Sequence, residues 1–311
     1  MGISEHPPLN FVYPLSGRNL AAPTLAPKPT HMKTILILTD FSENAFRAAE
    51  YAAEIAGPLQ IKRILLYHAY QTIIGGTDLP IGNSQSSQEI YLESISQLAM
   101  VQDRVKSMVK DIKVDLLAED TSLPPYISEL CKTEDVDLIV MGVSGRSGLE
   151  KLLLGSTTSM MIEESKVPVL IVPKDTFIGR GIKSIVFTTD LKDHTVIPVH
   201  QLYEIMDAFP VPLQVLNVEK GADEKYSEEA RNTIAGLHDI FEKYNTTFDY
   251  IKEENTVEGI LSYSNQHHAS MIVVVPRKTG FLASFFRGSI SKKLAYNSNI
   301  PLLSLPPAPV E

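Results

Sequence analysis

Gly142, Gly145, Gly148 and Gly155 punctuate the stretch Val140–Thr158, which reads VMGVSGRSGLEKLLLGSTT. An apolar run ending at Met141 precedes them and reads as a buried strand. A helix beginning near Ser156 and reaching about Glu164 comes after them. Glycine lets a backbone approach a ligand closely and take positive φ. The free N–H groups and dipole of a helix start favour an anion. Strand, glycine-rich loop and helix start together make a cradle for the phosphates of a nucleotide. The plainer reading is that the glycines only form turns.

Composition sets bounds on that chemistry. The chain has 311 residues, 44% hydrophobic and 21% charged, which suits about two globular domains. A net charge of −9 disfavours nonspecific binding to nucleic acid or an anionic membrane. No apolar run approaches the roughly 18 residues of a membrane span. The single cysteine, Cys131, lies on an apolar helical stripe and reads as core. His267 and His268 are adjacent, a poor spacing for a metal pair. His68 reads as the structural end of a buried strand, and Glu224, Glu228 and Glu229 as a solvated helix start. No nucleophile elbow, Walker-type loop or zinc-protease motif is present. The sequence supplies no obvious base for an attacking water.

The elements that must position the loop alternate. Residues 1–31, rich in proline, read as a disordered leader before a natural start at Met32, or as a native tail. Thr34–Leu38 reads as a strand covered on both faces, followed by Thr39-Asp40-Phe41-Ser42, with Ser42 capping a helix striped by Ala45, Ala49, Ala52 and Ala56. Strands are expected at Ile64–Tyr67, Val114–Leu117, Asp137–Met141 and Val167–Val172, with helices between them. Pro124 and Pro125 suit the first turn of one. The pattern then returns. Asp190 lies 150 positions after Asp40, while Gly288 and Pro301 lie 133 after Gly155 and Pro168, so the first copy is about 17 residues longer (150 less 133). The polar segment from Gln71 to Ser87 accounts for most of these, and the join falls near Lys174–Gly181. Strands alternating with helices imply an α/β fold with a parallel sheet in each copy.

The loop Gly142-x2-Gly145-x9-Gly155-Ser156, the opening Leu38-Thr39-Asp40-Phe41-Ser42, the pair His68-Ala69 and the closing Val167-Pro168-Val169-Leu170 resemble the universal stress protein family in order and spacing. The resemblance covers Met32 to Pro306 and implies two tandem five-stranded parallel-sheet domains of the adenine nucleotide α-hydrolase-like, Rossmann-like type, at residues 32–176 and 180–307. It also implies an adenine nucleotide across the carboxyl ends of the strands. By position, Thr39 and Asp40 would meet adenine and ribose. Ala69 would offer its backbone to the base, and Met141 would line the pocket. Gly142, Gly145, Gly155, Ser156 and Thr157 would surround the phosphates. The charge of Arg146 suits it to a further phosphate contact.

The second copy departs from this pattern. Val275 and Lys278 stand where Gly142 and Gly145 would, so one competent site is expected in the first domain and a degenerate one in the second. The leading function is a cytoplasmic regulatory protein of the stress response that binds ATP, ADP or AMP, with or without Mg2+. The alternatives are a weak ATPase and an interaction scaffold that no longer binds nucleotide. The apolar strands Val167–Val172 and Ile300–Leu305 would lie at sheet edges and invite intramolecular pairing. A homodimer of the tandem chain is also open, and the Gln71–Ser87 segment is a candidate lid over adenine.

Overall fold

The computed structural model describes residues 31–71, 86–143, 158, 160–161, 165–219, 227–276 and 299–308. The leader before His31, nearly all of the Gln71–Ser87 segment and the body of the glycine loop lie outside the described residues. The described residues belong to one compact unit, His31–Glu311.

Ten strands form one sheet. In the first half these are β1 (Thr34–Leu38), β2 (Arg63–Tyr70), β3 (Lys113–Asp120), β4 (Leu138–Val143) and β5 (Val169–Pro173). In the second they are β6 (Ile185–Thr189), β7 (Leu213–Glu219), β8 (Thr246–Lys252), β9 (Met271–Val274) and β10 (Leu302–Ser304). Their order is β3-β2-β1-β4-β5-β10-β9-β6-β7-β8, so each half is doubly wound, with its direction of winding switching beside β1 or β6. Neighbours within a half run parallel. At the centre β5 and β10 run antiparallel, with Leu303 opposite Leu170. All residues of these two strands are buried, as are those of β1, β6 and β9, as expected of strands covered on both faces.

One face carries α1 (Glu43–Ala56), α2 (Ser87–Met108), α4 (Val199–Ala208) and α5 (Glu228–Phe241). The other carries α3 (Leu123–Thr133) and α6 (Thr256–Gln266), together with Met161. The alanine stripe of α1 is buried, so the helix backbone lies close to the sheet. Among the residues of the expected helix after the glycine loop, Thr158, Met160 and Met161 are described and helical. Cys131 is buried, and burial pushes its thiol up to about 11, away from reactivity. Ser227 caps α5, with Glu228 and Glu229 in its first turn.

The join between the halves is held by a charge. Gly179 and Gly181 take positive φ, and their N–H groups donate to the Glu54 carboxylate at 2.8 and 2.7 Å. The repeat offset of 150 places Glu204 of α4 where Glu54 stands in α1. The later offset of 133 pairs Asp137, whose Oδ2 accepts from Lys33 and Thr34 N–H, with Ser270, whose Oγ accepts from Lys183 N–H. The second half therefore sets the Glu204 carboxylate against Asp137, and a hydroxyl, that of Ser270, stands at the Asp137 position of the repeat. Glu204 Oε1 is buried without a hydrogen-bond partner among the described residues. Burial, then Asp137, pushes the Glu204 carboxyl up to about 7, with His31 acting the other way.

A raised carboxyl pKa means that the folded chain holds this proton between about pH 4.5 and 7 while the unfolded chain releases it. Stability therefore falls as pH rises through that window. Substituting Glu204→Gln should remove this slope. Relative to the wild type, the variant should gain about 1–2 kcal/mol on going from pH 5 to pH 8, a figure reduced from the full linkage value for solvent screening. Urea unfolding of both proteins at the two pH values measures it, and parallel pH profiles would contradict the assignment.

Candidate functional site

Register brings the expected ligand residues to one place. Leu38 is level with Tyr67 of β2 and with Met141 of β4. The next residues along each chain, Thr39-Asp40, His68-Ala69 and Gly142, therefore meet at the carboxyl edge, astride the switch between β1 and β4. This is where an open α/β sheet leaves a crevice. Thr39 and Met141 are buried, Ala69 and Gly142 are half-buried and Asp40 is exposed. Gly145, Arg146, Gly155, Ser156 and Thr157 lie outside the described residues.

The turn after β1 is built from its own side chains. Thr39 N–H donates to Tyr67 O at 3.0 Å, the last backbone–backbone link from this turn to β2 among the described residues. Thr39 Oγ1 accepts from Phe41 N–H at 3.0 Å, and Asp40 Oδ1 accepts from Ser42 N–H at 3.0 Å. These Ser/Thr and Asx turns hold Phe41 at a φ of 63°, a conformation rare for a side chain of its size. Ser42 Oγ then accepts from Ala45 N–H and caps α1. Asp40 is thereby held at the edge, with one oxygen used locally and Oδ2 without a partner among the described residues.

Ala69 presents a different group. Backbone direction alternates along a strand, and Tyr67 O faces β1 while Tyr70 O faces β3, accepting from Thr121 N–H at 3.0 Å. Ala69 therefore faces the β1 side, where β1 has already ended opposite Tyr67. Among the described residues its N–H and C=O form an open donor–acceptor pair suited to the edge of a heteroaromatic base.

Gly142 has a packing role beside the phosphate contact expected of it. Its φ is not positive. A Cβ there would fall on the Asn44 carbonyl and within 2.8 Å of Ala45 N, so the missing side chain makes room for the first turn of α1. The counterpart Val275 is 5% exposed. Space rather than φ explains the exchange, because α1 begins at Glu43 but α4 begins at Val199, not at 193 as the offset of 150 would place it. In the second half residues 193–198 form turns, and Ala308 N–H donates to Val196 O at 2.8 Å, tying the C-terminal segment to them.

The turn itself survives in the second half. Leu191 has a φ of 54°, Thr189 Oγ1 accepts from its N–H, and Asp190 Oδ1 accepts from Lys192 N–H. A cavity of about 280 Å³ lined by Ile127, Cys131, Asp137 and Lys166 opens elsewhere, at the amino end of β4, and is no part of this site.

The match to known proteins agrees with this layout. The universal stress protein family matches residues 31–173 and again 183–306, and the chain belongs to that family. It is 33% identical over 144 residues to the universal stress protein MJ0531 of Methanocaldococcus jannaschii, covering 46% of this chain and 82% of that protein. It is 27% identical over 157 residues to MJ0577 of the same organism, covering 46% and 95%. A universal stress protein structure from Archaeoglobus fulgidus superposes with a TM-score of 0.62 at 18% identity, over 89% of this chain and 97% of that one. A Pseudomonas aeruginosa protein of unknown function, PA1789, superposes with a TM-score of 0.58 at 15% identity, over 89% and 93%. These two likenesses establish the tandem fold.

Gly142→Ala should cost about 1–3 kcal/mol, the scale of overpacking against backbone that cannot move aside. Gly57→Ala is the control. Its φ is −64°, nothing lies within 4 Å of an added Cβ, and it should be neutral or gain up to about 1 kcal/mol. Denaturant unfolding of the two variants compares them, and equal stabilities would rule out a close approach of α1 at Gly142.

Proposed function

We propose that this chain binds one adenine nucleotide, ATP or its products ADP or AMP, at the carboxyl edge of its first half, and that it acts as a regulatory protein of the stress response. The observation that carries the reading is the meeting of three groups at the β1/β4 switch: the exposed Asp40 carboxylate on a braced turn, the open Ala69 backbone edge, and the start of the glycine loop at Gly142. Asp40 would accept from ribose hydroxyls, Ala69 would read the base, and Met141 would line the pocket. The loop residues Gly145, Arg146, Gly155, Ser156 and Thr157 would take the phosphates, with Mg2+ as a companion ion.

In this reading, residues 32–176 form the binding domain and residues 180–307 a domain with a degenerate site. Two features of the second half support the asymmetry: Val275 is buried at the Gly142 position, and the first helical turn is replaced by turns tied to the C-terminal segment. Pairing of the two domains through Val167–Val172 and Ile300–Leu305 fits the antiparallel β5–β10 ladder and accounts for the tandem as a unit. A cytoplasmic setting fits the family and the absence, among the described residues, of a helix long and apolar enough to cross a membrane.

Titration of the full chain with a fluorescent adenine nucleotide should give saturable binding, weakened about tenfold by Asp40→Ala, the effect of losing one charged hydrogen-bond acceptor. Nucleotide released on denaturing the freshly purified protein identifies the species. Absence of both released nucleotide and saturable binding would leave the scaffold reading instead. Phosphate release from ATP should match that of Gly145→Val; a faster wild type would favour the weak ATPase.

A further inference from the structure

The carbonyl of Thr39 can only accept a hydrogen bond, and its partner is His68 Nδ1 at 2.8 Å. The imidazole must therefore carry its proton on Nδ1 and donate it there. In the second half the corresponding carbonyl, that of Thr189, takes the Asn217 side-chain N–H at 2.9 Å. Two different side chains at the end of the second strand thus make one bond, from an N–H donor to the residue that opens the left-handed turn. The repeat is an internal control. The donor persists between the halves, and the ring does not.

The ring has a further role in the first half alone. It lies 4.3 Å from the Phe41 ring, between centroids, and 6.5 Å from that of Tyr70. Phe41 is the residue held at positive φ, so His68 grips the turn twice, at the carbonyl before Asp40 and at the side chain after it. At the matching turn of the second half the residue is Leu191, which offers no aromatic face.

We propose that His68 is a positioning residue of the nucleotide site, its Nδ1–H and ring fixing the Thr39–Phe41 turn that aims Asp40. This rests on the nucleotide-binding reading, and its action on the turn is separable from that reading. Thr39 then has both backbone groups tied to β2, its N–H to Tyr67 O and its carbonyl to His68, so the Asp40 carboxylate and the Ala69 edge are held in one fixed relation. A base and a ribose are held at a short, fixed separation by one glycosidic bond, so a site that reads both gains from that relation.

The test compares His68→Asn, which keeps the donor in the manner of Asn217, with His68→Leu, which removes it. Amide hydrogen exchange at Phe41 and Ser42 in the full chain, without nucleotide, should speed up about tenfold in the leucine variant and about threefold or less in the asparagine variant, on the scale of one hydrogen bond. Affinity for the fluorescent nucleotide should change in the same order. Long-range nitrogen–proton spectra of the wild type should show the Nδ1-protonated tautomer. Equal exchange in the two variants, or an Nε2-protonated ring, overturns the inference. Exchange that differs while affinities do not would overturn the link to the ligand. If the wild type binds no nucleotide, the positioning role falls with the binding reading, although the exchange contrast still shows whether His68 braces the turn.

Discussion

Everything in this molecule is arranged around the ladder between β5 and β10. Each half alone would end in a short, mostly apolar strand with a row of unsatisfied N–H and C=O groups, a form of edge that natural sheets do not leave open. Running the two strands antiparallel closes both edges at once. It also merges the helix-covered faces, so that one continuous core contains Leu170 and Val172 of the first half together with Leu303 and Leu305 of the second. The halves then face opposite ways, and the carboxyl edge of each lies at the amino edge of the other. That opposition brings the α4 carboxylate Glu204 close to Asp137.

Within this shared frame the halves have diverged at one end. Both keep the threonine–aspartate turn and a side-chain donor from the second strand. They differ in the segment just after the turn. In the first half a capped helix starts at once and presses its first turn against Gly142. In the second, turns intervene, the helix starts later, and a valine fills the space. The asymmetry is thus a matter of where a helix begins, with the glycine-to-valine exchange as its packing consequence. Under the proposed function the first half keeps the ligand site, and in the second Val275 and the turns tied to Ala308 stand at the corresponding positions.

Much of this was legible in the sequence. β1 appeared as an apolar run rich in β-branched residues, and the alanine stripe of α1 forecast close helix–sheet packing. The offsets of 150 and 133 revealed the repeat. Strand ends were legible only to within a few residues, since Tyr70 and Lys252 continue ladders whose apolar pattern has already stopped. The delayed start of α4 was not legible, because Asp193 and Thr195 can open a helix as readily as the turn they form, in which both Thr195 N–H and Oγ1 donate to Asp193 Oδ1. The packing role of Gly142 was not legible, because a sequence cannot show which backbone passes within reach of a missing Cβ. The clamp of His68 on Thr39 was hidden for a similar reason. A histidine ending a strand carries no mark of its tautomer, and the signal that could have found it was the paired position of Asn217 after the second threonine–aspartate turn.

Stoichiometry tests the asymmetry of the two halves most directly. Native mass spectrometry of the intact chain with excess ATP should show one nucleotide per 311-residue polypeptide, and Val275, buried in the second half, is the reason it should not show two. A saturated mass shift of a single nucleotide is the predicted result. Two nucleotides per chain, or none at any concentration, would contradict it.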